Sequence, residues 1–162
     1  MTITSSRSTT AARPLVDPRG PRFGATLTSL VLVVVLLTIP TVFSGVLLAA
    51  QAAVFALGAF VGLSAQPYGI VFRKVVRPRL APPAELEDAA PPRFAQGVGF
   101  GFALVGLIGL VAGVAPVAYV AIGLALAAAF LNAAFNFCLG CEMYLLCARL
   151  FGSRTTSGTT AI

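Results

Sequence analysis

Apolar residues in this chain form two long blocks, with no alternation at the helical or strand period. No Asp, Glu, Lys or Arg occurs from Phe23 to Phe72, and none from Phe94 to Cys141. A helix that crosses a bilayer needs about 20 apolar residues, so each block holds two spans and a tight hairpin. A soluble core of this length would keep polar positions on one face. The pattern predicts spans over residues 25–42, 46–65, 95–114 and 117–137, with outer turns at Ser44-Gly45 and Ala115-Pro116. Gln66-Pro67-Tyr68-Gly69 ends the second span, because proline biases the residue before it away from helix. Residues 70–80 suit a short interfacial helix. Its Arg and Lys would lie at head groups while Ile70, Val71, Phe72, Val75 and Val76 dip inward. The expected fold class is all-α, an integral membrane four-helix bundle.

Sliding the chain along itself until Pro21-Arg22-Phe23 falls on Pro92-Arg93-Phe94 uncovers a weak repeat. In the same register Val34 and Leu36 fall on Val105 and Leu107, and Ala56 on Ala127. Pro67-Tyr68-Gly69-Ile70 falls on Cys138-Leu139-Gly140-Cys141. These matches stand at equivalent boundaries, so a two-helix unit used twice is expected. The copies would share a direction and be related by an axis along the membrane normal. The organisation expected is a disordered N-terminal segment over 1–20 and a membrane domain over 21–152. Within it lie repeat units at about 21–80 and 92–151 and a Pro-rich acidic linker at 81–91. A loose tail follows over 153–162.

Composition agrees with the pattern: 58% of the residues are apolar and 10% charged, against roughly half and a quarter in soluble domains. The charges also orient the protein. All eleven Lys and Arg fall in the N-terminal segment (Arg7, Arg13, Arg19, Arg22), the middle loop (Arg73, Lys74, Arg77, Arg79, Arg93) or the C-terminal end (Arg149, Arg154). Four spans put these three places on one side, which the positive-inside rule makes cytoplasmic. The expectation is a multi-pass protein of the cell's inner (cytoplasmic) membrane with both termini inside. The net charge of +6 then serves topology and anionic lipid. Nucleic acid is not an expected partner, because no basic groove carries interleaved aromatics. A secretory signal cut at Ala50-Gln51-Ala52 fits less well, because no polar segment precedes the supposed cut.

Small residues line the helices, with a G-x-x-x-G at Gly58 and Gly62 and six glycines from Gly97 to Gly113. In lipid, such residues let helix backbones approach closely. Packing within the chain comes first and homo-oligomerisation second.

Polar groups at membrane depth are costly and call for a reason. None here is ionisable, which argues against a proton- or ion-coupled transporter acting alone. Asn132 and Asn136 lie four apart on one face of the fourth span and suit interhelical hydrogen bonds; Gln51 is a further polar group within the membrane. The sharpest signal is Cys138-Leu139-Gly140-Cys141-Glu142. Two thiols three apart can meet where a helix starts or ends, with Gly140 supplying freedom, and the spacing suits disulfide exchange. It also suits half a zinc site, but with no His and only Cys147 left, a resident metal ranks below redox chemistry. Buried cysteines that merely pack are the plain alternative. Along a continuous helix at about 100° per residue, Cys147 faces away from Cys138 while Glu142 and Arg149 fall on its side. Arg149 would favour a thiolate and Glu142 oppose it, and the sequence leaves open which thiol attacks. No cofactor is expected: no Gly-rich phosphate loop follows a strand, and there is no histidine to ligate haem.

Pro67-Tyr68-Gly69, Arg77-Pro78-Arg79-Leu80, Pro91-Pro92-Arg93-Phe94-Ala95-Gln96 and the run from Leu131 to Tyr144 together resemble domain-of-unknown-function family 4395. The likeness covers about residues 17–151, and Cys-Leu-Gly-Cys-Glu-Met-Tyr is its most specific part. The resemblance implies a small bacterial membrane protein. Genes of the family often lie beside a thioredoxin-like protein and a rhodanese-type sulfurtransferase, which implies a thiol or sulfur partner for Cys138 and Cys141. The leading expectation is a membrane protein whose cytoplasm-facing C-x-x-C carries out thiol-disulfide or persulfide exchange. One alternative is a scaffold whose basic inner surface docks a soluble sulfur-metabolism enzyme. Another is a passive carrier of a small sulfur compound, with Asn132 and Gln51 as its polar lining.

Overall fold

Acidic caps and prolines, more than hydropathy, decide where the helices of this chain begin. The computed structural model describes residues 14–152. In chain order the elements are β1 (Leu15–Val16), α1 (Arg19–Thr38), α2 (Val42–Ala56, extended by a π-helical turn at Leu57–Val61) and α3 (Pro67–Val71). A wider turn at Phe72–Val76 and a tighter one at Arg77–Arg79 prolong α3; then come β2 (Glu87–Asp88), α4 (Ala90–Val111), α5 (Ala115–Phe135) and α6 (Leu139–Gly152). The fold is all-α apart from the short antiparallel pairing of β1 with β2.

Four of these helices are long and apolar enough to cross a membrane: Arg19–Thr38, Val42–Val61, Ala90–Val111 and Ala115–Phe135. At about 1.5 Å per residue each matches a hydrocarbon core of about 30 Å. All four start and end earlier than the apolar pattern suggested. Asp17 Oδ1 accepts the Arg19 N–H at 3.0 Å and Asp88 Oδ1 accepts the Ala90 N–H at 2.9 Å. The polar first turns of α1 and α4 are therefore already helical, and prolines in them lack only an N–H that would have had no helical partner. Between α1 and α2 the turn falls at residues 39–41 rather than at Ser44-Gly45. Thr41 Oγ1 accepts the Ser44 N–H at 3.2 Å and so caps α2 one turn earlier. The first segment is also more ordered than expected from residue 14 onward; residues 1–13 and the tail 153–162 lie outside the described residues.

Three further expectations are corrected. Gly62 does not continue a packing stripe with Gly58: at φ +134° it ends the helix, a backbone geometry that a Cβ disfavours. The interfacial helix spans 67–79 rather than 70–80, since Pro67 starts it. Of its five apolar residues Phe72 packs into the bundle, 3% exposed, while Ile70, Val71 and Val75 are exposed and left open to lipid. The Phe72 ring lies 5.9 Å from that of Phe23, which fixes α3 beside α1. Finally, α5 stops at Phe135, before the cysteines, where Asn136 takes the left-handed conformation at φ 55°. The Phe137 N–H returns to the Leu131 carbonyl at 3.3 Å, closing the helix end.

The core lies between α1, α2, α4 and α5, where Leu32, Val35, Leu48, Ala103, Ala118 and Ile122 are buried. On α4, Gly99 faces Phe55 and Gly106 faces Ile122 and Leu48, while Gly101 has nothing near it. The outer surface is apolar as well: Leu30, Leu37, Val42, Val46, Phe60, Ile108, Val111 and Val120 are all exposed. An exposed apolar belt of this extent marks a surface made for lipid. The architecture is that of a multi-pass membrane protein.

Two arginines fix how the helix ends meet. Arg22 donates to the carbonyls of Ala133 (3.0 Å) and Ala134 at the end of α5. Arg93 donates to Ala59 (3.1 Å) and Phe60 (3.2 Å) at the end of α2. The starts of α1 and α4 therefore lie beside the ends of α5 and α2, and every described charged residue belongs to this end of the bundle. The turns at 39–41 and 112–114 lie at the other. Element starts also recur, at nearly the offset that relates Pro21 to Pro92: Arg19 matches Ala90, Val42 matches Ala115 and Pro67 matches Leu139. The central β pair joins Val16 to Glu87, two positions related by that same offset.

Candidate functional site

The break after Phe135 puts Cys138 just ahead of α6 and Cys141 in its first turn. The two are joined by a disulfide with Cα atoms 5.1 Å apart, inside the range that such a bond spans. The Cys141 backbone N–H donates to Cys138 Sγ at 3.3 Å, and the Glu142 N–H to the Cys138 carbonyl at 3.0 Å. Cys138 thus caps α6, and its sulfur sits where the unpaired N–H groups and the dipole of a 14-residue helix favour negative charge. The two cysteines are therefore placed differently with respect to α6, one ahead of it and one within its first turn.

Gly140 serves a purpose different from the one expected. It lies within the helix, buried, and a Cβ there would come 2.6 Å from Ala95 Cβ and 2.7 Å from Ala95 Cα. Its missing side chain lets the first turn of α6 press against α4. One turn further along, the Tyr144 and Phe94 rings meet at 5.8 Å. Because α6 is a separate helix, the continuous-helix phase used for Glu142 and Arg149 no longer applies across residue 138. Both are exposed on α6, as is the free thiol of Cys147.

Beneath the disulfide a cavity of about 280 Å³ opens between α1, α4, α5 and α6. Cys138, Leu139 and Gly140 form one wall. Ala95, Phe102, Ala128 and Met143 contribute apolar surface, and Thr28, Gln96 and Asn132 the polar groups. Asn132 is therefore brought to the cysteines. Asn136 is not: it closes the end of α5, exposed, and the expected one-face pairing of the two asparagines is lost to that turn. Gln51 does not line the cavity either, so the polar lining imagined for a carrier is not assembled. It is 1% exposed, donates to Thr28 Oγ1 at 3.4 Å and accepts from the Tyr68 hydroxyl at 2.8 Å. Burial pushes the Tyr68 phenol above its usual pKa range, which keeps it a neutral donor.

Sequence reasoning missed this amide network. Gln66 donates to Gln96 Oε1 at 2.9 Å and to the Val54 carbonyl at 3.4 Å, tying the end of α2 to α4 beside the cavity. The available signal was polarity within the uncharged blocks: Gln66 stands just ahead of α3 and Gln96 in the second turn of α4.

No match is found among curated proteins or among solved structures. A family model does match, over residues 16–149, from the second β1 residue into α6. It takes in all four spans, both arginine caps and the cysteine pair. The chain therefore belongs to the family described as a domain of unknown function, DUF4395.

Proposed function

We propose that the protein is a membrane thiol carrier in which Cys138 and Cys141 cycle between dithiol and disulfide at the cytoplasmic face. The supporting observation is the placement of the pair: bonded, at the head of a helix, at the end of the bundle that holds every described charge. The positive-inside rule makes that end cytoplasmic in an inner membrane, and a disulfide facing the reducing cytosol is a transient, reacting one. In the exchange, one thiolate of a partner dithiol attacks Cys138 Sγ, forming a mixed disulfide and releasing the Cys141 thiolate. The partner's second thiolate then attacks the partner sulfur of that bond, so that the Cys138 thiolate leaves. Two electrons pass from the partner to the pair and one S–S bond replaces another. A partner of thioredoxin-like or rhodanese-type chemistry fits the site; with a persulfide donor, Cys138 would instead take the outer sulfur and release the donor thiolate.

Cys141→Ser is expected to accumulate a mixed disulfide on Cys138 in intact membranes. Diagonal electrophoresis with mass spectrometry identifies the captured species. Absence of any thiol or sulfurtransferase partner, with full function of a Cys138→Ser, Cys141→Ser double variant, would overturn the reading. In that case the exposed Arg73, Lys74, Arg77 and Arg79 favour the scaffold, a basic surface that docks a soluble enzyme. Orientation is checked separately. After reduction, a maleimide that does not cross membranes should label Cys138 and Cys141 in inside-out vesicles and spare them in right-side-out ones.

We also infer that the chain is a duplication. The elements recur at a nearly constant offset along the chain. Asp17 and Asp88 cap equivalent helices, Arg22 and Arg93 close the opposite unit's second helix, and Phe23 and Phe94 hold the third. Each unit in this reading is three helices long rather than two, and only the second carries cysteines.

A further inference from the structure

The thiol cycle needs a second electron partner, and the cavity under Cys138 has the chemistry of one. In the register that sets Pro21 on Pro92, Gln66 corresponds to Phe137 and Tyr68 to Leu139. In the first half, Gln66 (5% exposed) turns into the bundle and Tyr68 reaches Gln51, and the cavity of about 260 Å³ left there is lined by the charged Asp17, Arg73 and Arg77 as well as by apolar residues. In the second half, Phe137 turns outward at 44% exposure and Leu139 is shorter, leaving about 280 Å³ empty against Cys138. This is just under the range for ligand sites, about 300–1,000 Å³, and it suits one substituted ring. The walls are mostly apolar, and one of them, Leu124, is also exposed at the surface of the bundle. Gln96 Oε1 is engaged by Gln66, so what Gln96 offers a ligand is N–H donation. The Asn132 amide can donate as well. A flat, apolar ligand with carbonyl oxygens, arriving from lipid and able to take two electrons from a dithiol, meets all of these conditions.

We propose that the cavity binds the head group of a lipid-soluble quinone, which oxidises the Cys138–Cys141 dithiol. This rests on the thiol reading above. Cys138 thiolate adds to a ring carbon and a C–S bond forms. Cys141 thiolate then attacks Cys138 Sγ; the S–S bond forms, the C–S bond breaks and its electron pair passes into the ring. The two thiol protons end on the two quinone oxygens. The cysteines are oxidised by two electrons and the quinone is reduced to quinol. Gln96 and Asn132 stabilise the oxygens as charge develops on them.

The test uses the full chain in lipid nanodiscs, reduced and held without oxygen, mixed with a decyl-substituted benzoquinone. Quinone absorbance and free thiols are followed together. In a Cys147→Ser background, which removes the exposed third thiol, one quinone should be lost for every two thiols, with no reaction once Cys138→Ser and Cys141→Ser are added. Ala128→Phe should slow oxidation by the quinone at least about tenfold relative to oxidation by a water-soluble disulfide, because the new ring takes the ligand's volume. Should that variant not fold, Gln96→Leu should raise the quinone concentration for half-maximal rate about five- to tenfold, as expected for one lost hydrogen bond. No thiol-dependent loss of quinone, or equal slowing of quinone and soluble-disulfide oxidation in both variants, would overturn the proposal. If soluble disulfides react and a partner is captured while quinone does not react, the quinone site falls and the thiol cycle stands. If quinone reacts and no protein partner is captured, the quinone site stands and the soluble exchange falls.

Discussion

Valine at position 140 is expected to detach the first turn of α6 from α4 and to take the cysteine pair with it. Even the Cβ of alanine would come within 2.6 Å of Ala95 Cβ and 2.7 Å of Ala95 Cα. The second of these atoms belongs to the backbone of a 22-residue helix, which cannot yield as a flexible side chain would. Overpacking of this kind costs about 1–3 kcal/mol, and Gly140→Val, with two further methyls, belongs at the top of that range. The expected result is a lower unfolding midpoint in detergent and a several-fold faster reaction of reduced Cys138 and Cys141 with maleimide, as α6 lifts away. Gly140→Ala should fall between valine and wild type. Ala95→Gly in the same chain should restore part of the loss, by removing the Cβ contact but not the Cα one. Gly101→Ala on α4, where no atom lies within 4 Å, serves as the comparison and should change stability by no more than about 0.5 kcal/mol. A Gly140→Val protein as stable and as slow to label as the parent would show that α6 is not held where the geometry puts it.

That glycine also shows what was legible in the sequence and what was not. Four apolar helices with all charge at one end could be read from the two uncharged blocks, because bilayer thickness and the cost of buried charge act on composition alone. The pairing of Cys138 with Cys141 could be read from spacing. Helix limits could not, because they depend on which local group satisfies the first N–H or last C=O. Asp17 and Thr41 start helices before the apolar run begins, and Asn136 ends one before that run is over. The break at Asn136 matters most for the site. A continuous helix through residue 138 would have given the cysteines a common face and Gly140 a hinge. A new helix beginning at Leu139 makes Cys138 its cap and Gly140 a contact point. The cavity was hidden for a related reason: its walls come together from α1, α4, α5 and the start of α6, a tertiary arrangement that no periodicity encodes.

Arg22→Gln and Arg93→Gln are expected to cost similar amounts, about 1–3 kcal/mol each. Each guanidinium supplies charged hydrogen bonds to the final carbonyls of a helix in the opposite half, Ala133 and Ala134 for one, Ala59 and Phe60 for the other. Those carbonyls have no partner within their own helices, and near hydrocarbon no bulk water replaces one cheaply. The positive charge also sits at the negative end of the helix dipole. Lysine at either position should recover only the dipole part, about 0.3–1 kcal/mol, because it is a point charge without the fork that reaches two carbonyls. The two arginines serve different helix pairs, so the double variant should lose nearly the sum of the two single losses. Unfolding midpoints of the four glutamine and lysine variants and the double variant, measured in one detergent, check all of this. Equal losses at Arg22 and Arg93 are what the proposed duplication, with one arginine device per copy, requires. A cost confined to one position would leave the matching hydrogen bonds standing but remove the energetic case for two equivalent halves.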